Sequence, residues 1–126
     1  MKRHYQTVLF LLLFAIYGCT GRYEQPREVD PKDYNQKIAN GKATNSEWVK
    51  SPQSIAKQLF PRDAHQTDNS SYSIEEKRLS EIDRKIIVTE EGAFDDEVNG
   101  EKAIIDLKLK NERWEITRLY ISLKRR

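Results

Sequence analysis

The 126-residue chain predicts an α+β fold: a small antiparallel β-meander of three to four strands with one short helix packed on it, preceded by an apolar leader and a flexible tether. Three observations carry this. Lys102 to Lys110 alternates apolar and polar residues, Arg84 to Glu91 is β-branched and aliphatic, and Ser51 to Pro61 has apolar residues at helical spacing between two prolines. Only 37% of the residues are hydrophobic and 33% are charged, so the core is small and sheet-based.

In chain order, residues 1 to 7 are short and basic, and Val8 to Tyr17 is an unbroken apolar run of ten residues. Ten residues make a helix of about 15 Å, roughly half the hydrocarbon thickness of a bilayer, so the run suits a cleaved signal peptide better than a membrane span. The formal charge of +2 comes from Lys2 and Arg3. Their removal leaves acids and bases balanced, and nothing in that balance calls for a nucleic-acid partner.

Residues 20 to 47 are rich in Pro, Gly, Asn and charge, which predicts a flexible tether reaching on the order of 30 Å. Within it, Tyr23, Val29, Tyr34 and Ile38 offer local packing, and Lys32 to Ala39 has room for a helical turn or two. The domain spans residues 48 to 126. Ser51 suits an N-cap and Pro52 the first helical position, Pro61 stops the helix, and Ile55, Ala56, Leu59 and Phe60 share one face, with Trp48 and Val49 packing ahead of it.

Residues 72 to 83 read as a strand through the Tyr72 and Ile74 alternation, or as a helix through a Ser73–Glu76 capping box; the strands that follow favour the first. Arg84 to Glu91 is the next strand. Asn99-Gly100 is a hairpin signal, since a type I′ turn needs positive φ at both central residues. Beyond it Ala103, Ile105, Leu107 and Leu109 point inward. After a turn at Asn111-Glu112, Trp114 and Ile116 continue the inward set, but the phase slips by one before Leu119, Ile121 and Leu123. That slip predicts a β-bulge near Thr117 and Arg118.

Leu13-Phe14-Ala15-Ile16-Tyr17-Gly18-Cys19 resembles the lipobox of bacterial lipoproteins, with an aliphatic residue at Ile16, a small one at Gly18 and then the single cysteine. The resemblance implies cleavage between Gly18 and Cys19 and a diacylglyceryl group on the Cys19 thiol, with the lipid bilayer as a partner through that acylated residue; two or three acyl chains anchor stably. It leaves residues 1–18 as the signal peptide and residues 19–47 as a lipidated amino terminus and tether. Thr20 is not the aspartate that retains such proteins in the inner membrane, so the outer membrane facing the periplasm is the expected location.

The domain offers a second resemblance. Trp48-Val49-Lys50-Ser51-Pro52, Val88-Thr89-Glu90-Glu91-Gly92, Asp95-Asp96 and Trp114-Glu115-Ile116 are similar to small secreted domains of uncharacterised bacterial proteins, from Trp48 to about Leu123, and imply no activity.

Catalytic chemistry is sparse. The two histidines are His4, in the leader, and His65, in a polar loop beside Asp63 and Asp68. No set of His and Cys ligands can be assembled for a metal, and no phosphate loop or nucleophile elbow is present. The acidic stretch Glu90, Glu91, Asp95, Asp96 and Glu97 does not fit the alternating ligand spacing of an EF-hand. Residues 101 to 126 are basic and end in Lys124-Arg125-Arg126, a tail for anionic surfaces or simply a solubilising end. The expected function is therefore a non-catalytic accessory lipoprotein, without cofactor or metal, that docks an envelope protein. Asp95, Asp96, Glu97, Lys124, Arg125 and Arg126 are its candidate contacts. The alternative is a binder of a small ligand or envelope polymer on the sheet, for which Trp48 and Trp114 need partial exposure.

Overall fold

The computed structural model describes residues 23–63, 70–92 and 97–125. In order, these form β1 (Arg27–Val29), α1 (Lys32–Ala43), a 3-10 turn (Glu47–Lys50), α2 (Pro52–Leu59), β2 (Ser71–Arg78), β3 (Asp83–Glu91), β4 (Val98–Lys110) and β5 (Arg113–Arg125). The strands make one open antiparallel sheet in the order β1-β5-β4-β3-β2, with both helices on one face. The α+β class stands, with five strands and two helices in place of three or four strands and one helix.

The two additional elements lie where the composition predicts a tether. β1 pairs with β5, placing Arg27, Glu28 and Val29 opposite Ile121, Tyr120 and Leu119, and Tyr23 forms a further bridge to Lys124. α1 is polar almost all round, burying only Ile38 and Gly41, so its own sequence does not announce it. Tertiary contacts hold it. The Asn35 side chain hydrogen-bonds both backbone groups of Ile116, and Gly41 lies against Trp48 and Val49 so closely that a Cβ would fall 2.6 Å from Val49 Cγ1.

α2 follows its sequence signals. Ser51 Oγ accepts from the Ser54 N–H at 3.2 Å, Pro52 opens the helix, and Ile55 and Ala56 are fully buried. These two residues, with Ile38 and Val49, cover the inward row Ile86, Val88, Ala103, Ile105, Leu107, Trp114, Ile116 and Leu119.

Residues 71–78 are strand, and the chain turns at residues 79–82. The bulge falls where the phase slip puts it. Asp106 faces Arg118 and Leu107 faces Ile116, leaving Thr117 as the extra residue, so the apolar side chains of β5 stay inward past the irregularity. Asn99-Gly100, in contrast, is not a turn. Both residues belong to β4, where a second bulge lies between Val98 and Gly100. Gly100 serves a close approach instead: a Cβ there would meet Tyr23 Oη at 2.9 Å and Lys124 Cβ at 3.0 Å. The left-handed pair is Asn111 and Glu112, with φ of 51° and 63°, as a type I′ turn requires.

Candidate functional site

Of the contacts expected from sequence, Gly18, Cys19, Asp95, Asp96 and Arg126 lie outside the described residues, as do His4 and His65. Glu97, Lys124 and Arg125 are brought together. The ladder places Val98 opposite Arg125, so the acidic end of the β3–β4 connection folds onto the basic end of β5. Arg125 Nη1 reaches Glu97 at 3.6 Å and its Nε pairs with Glu24, while Lys124 Nζ lies 3.4 Å from Glu91. Tyr23 donates to Glu91 at 3.1 Å under the Lys102 ammonium, 4.4 Å from its ring. Burial, then the Glu91 charge and hydrogen bond, push the Tyr23 phenol well above its ordinary value. Glu91 and Glu97 of the acidic stretch and Lys124 and Arg125 of the basic one thus meet at one corner, which fastens the segment before β1 to the sheet.

The face opposite the helices is different. Because the inward set is fixed, the register places Glu75, Ile87, Ile104, Tyr120 and Glu28 in one row across all five strands on the face that no described helix or strand covers, hereafter the uncovered face. Ile87, Ile104 and Tyr120 form an apolar stripe over the three central strands, each partly exposed. The next row, Lys77, Lys85, Asp106 and Arg118, is charged, with Lys85 Nζ 3.8 Å from Asp106. The solvent face of an antiparallel sheet is ordinarily polar throughout, so a stripe of three large apolar residues between this charged row and the polar row Ser73, Thr89, Lys102 and Ser122 is a surface suited to a partner.

A pocket of about 210 Å³ opens on the helix side, at the end of α2, lined by Leu59, Phe60, Pro61, Tyr72, Val88, Glu90, Glu101 and Ala103. Glu90 and Glu101 are directly opposed across β3 and β4. Glu90, 8% exposed, accepts the Asp63 N–H at 3.0 and 3.2 Å through its two oxygens. Tyr72 donates to the Phe60 carbonyl at 2.6 Å. Burial first, and the Glu90 charge second, raise both the Glu101 carboxyl and the Tyr72 phenol above their ordinary values. Burial and the opposed Glu90 charge favour a proton on Glu101, or a cation beside it. Glu101 and Tyr72 carry no motif that marks them as site residues in the sequence. The signal was available, because Glu90 continues the inward phase of Ile86 and Val88, and Glu101 that of Ala103 and Ile105.

Trp114 is buried, with the Arg84 guanidinium 5.3 Å from its ring, and Trp48 is partly buried against Gly41. Among the described residues no three His, Cys, Asp or Glu side chains converge as a metal cluster, and no helix is long and apolar enough to cross a membrane. No family model, curated protein or solved structure matches the chain.

Proposed function

We propose that this chain is a non-catalytic accessory lipoprotein of the bacterial cell envelope, anchored through acylated Cys19 to the outer membrane on its periplasmic side, and that its domain docks a protein partner. The lipobox-like Leu13 to Cys19 supports the anchor. The observation that carries the docking is the Ile87–Ile104–Tyr120 stripe on the uncovered face, with Glu75 and Glu28 at its two ends. Apolar area at the centre with charge at the rim is the anatomy of a protein contact.

The test is a photo-crosslinking residue placed at Ile104 or, as a control on the helix side, at Gln58, in the full chain in cells. One discrete adduct from position 104, absent from position 58 and lost with Tyr120→Glu, supports the reading. Equal labelling from both positions, or none from 104, refutes it. For the anchor, Cys19→Ser is expected to move the protein from the membrane fraction to the soluble one and to remove the fatty acid from its amino terminus.

A second reading, a binder of a small ligand, is favoured by one observation: the Glu90–Glu101 pair in an apolar-walled pocket. Such a ligand carries an ammonium or amidinium group. Its binding is expected to strengthen as pH rises through the raised Glu101 value, and Glu101→Gln is expected to remove that dependence.

A further inference from the structure

β2 is an edge strand of eight residues, paired on one side with β3 and reached on its other side by no backbone hydrogen bond from another described residue. Its sequence ends Glu75-Glu76-Lys77-Arg78. Glu75 and Lys77 are exposed, lie on the uncovered face, and form no ion pair among the described residues. We infer that β2 pairs antiparallel with β2 of a second copy of this chain, about a two-fold axis through Glu76, setting Glu75 of each copy against Lys77 of the other.

The register follows from geometry. Strands related by a two-fold perpendicular to the sheet oppose residues of the same face, so the axis passes through a residue and not between two. An axis through Glu75 opposes two exposed carboxylates, and one through Lys77 opposes two ammonium groups. An axis through Ile74 sets serines against Glu75 and Lys77 and makes no ion pair. With the axis through Glu76 the Glu75–Lys77 pair forms twice, and the two central carboxylates each keep their own Arg84, 3.2 Å away. Leu79, 61% exposed and the most exposed large apolar residue described, follows directly on β2 at the end of this seam. The seam joins two five-stranded sheets with all four helices on one side and both Ile87–Ile104–Tyr120 stripes on the other.

Edge strands commonly carry charge to repel such pairing. Here the signs are arranged to attract. Sedimentation of the full chain in mild detergent tests this. The native chain is expected to dimerise. Glu75→Lys and Lys77→Glu each place like charges together twice and are expected to weaken the dimer by roughly tenfold or more, whereas the double swap Glu75→Lys with Lys77→Glu restores it. Both positions are exposed, so circular dichroism should be unchanged throughout. A native chain that stays monomeric, single reversals that leave the dimer as strong, or a swap that fails to restore it overturns the proposal. Because Glu75 also ends the row that contains Ile104, Lys77→Glu is the variant that separates the two proposals: a weakened dimer with an unchanged adduct from position 104 leaves the docking surface standing.

Discussion

Asn35 takes the place of a neighbouring strand beside Ile116: its amide donates to the Ile116 carbonyl at 2.9 Å and accepts the Ile116 N–H at 2.8 Å, as a paired backbone would. β1 covers only Leu119 to Ile121 of β5, so this side chain completes the edge where β1 is too short to reach. Asn35→Ala is expected to destabilise the domain by about 1–3 kcal/mol, because it strands a partly buried donor and acceptor together. Asn35→Asp keeps the acceptor but points a carboxylate at a carbonyl, and should cost at least as much at neutral pH. Urea denaturation of the three proteins checks both, and equal midpoints would remove the tie from the account.

Gly41 gives a counter-intuitive second case. Alanine is favoured over glycine in a helix by about 1 kcal/mol, yet Gly41→Ala is expected to destabilise. Its methyl would fall 2.6 Å from Val49 Cγ1 and 2.9 Å from the Trp48 ring, and Val49 is locked in the core. Overpacking of this kind costs about 1–3 kcal/mol. A lowered thermal midpoint, with a change in tryptophan fluorescence from Trp48, is the expected result.

Glu112 holds a φ of 63°, a conformation that costs a side-chain-bearing residue roughly 1 kcal/mol. Glu112→Gly converts Asn111-Glu112 to Asn-Gly, the favoured type I′ pair. Stability is expected to rise by about 0.5–1 kcal/mol, less the greater chain entropy of glycine when unfolded. The Lys42 ammonium, 3.3 Å from the Glu112 carbonyl, keeps its acceptor because the contact is to backbone. A denaturation midpoint that falls would show the turn to be held some other way.

Glu101 ties stability to pH. Its carboxyl is raised above the ordinary value of 4.5 by burial and then by Glu90, so between the ordinary and the raised value the folded chain holds a proton that the unfolded chain has released. Stability contributed by the protonated form is complete below the ordinary carboxyl value and is lost as pH rises through the folded one. Glu101→Gln should abolish that loss: the variant gains on the native chain as pH is raised from acid to neutral and shows no such gain below the window. Parallel stability curves for the two proteins would exclude the effect.

How far the sequence reached differs element by element, for physical reasons. α2 and the bulge at Thr117 were legible because the information is local: a cap, two prolines and a break in alternation. α1 was legible only as a turn or two at Lys32 to Ala39, and not as a docked twelve-residue helix, since it buries one large side chain and owes its place to Ile116, Trp48 and Val49, which lie elsewhere in the chain. Asn99-Gly100 misled because the same dipeptide serves a tight turn and a close approach, and only Tyr23 and Lys124 reveal which. The corner joining Glu97 to Arg125 was invisible for the same reason: two patches of opposite sign look like two surfaces until the register brings them together.

The pairing of Arg27 with Ile121 sets an order of events. β1 is made early and then waits, since the backbone groups it must meet lie about ninety residues later in the chain. The meander of β2 to β5 is closed by neighbours in sequence, whereas β1 joins across nearly the whole domain, a contact of the slow, non-local kind. Of the strands described, the one furthest along the chain is therefore the one that recruits the earliest, and Arg27 to Val29 stay without that partner until β5 is made.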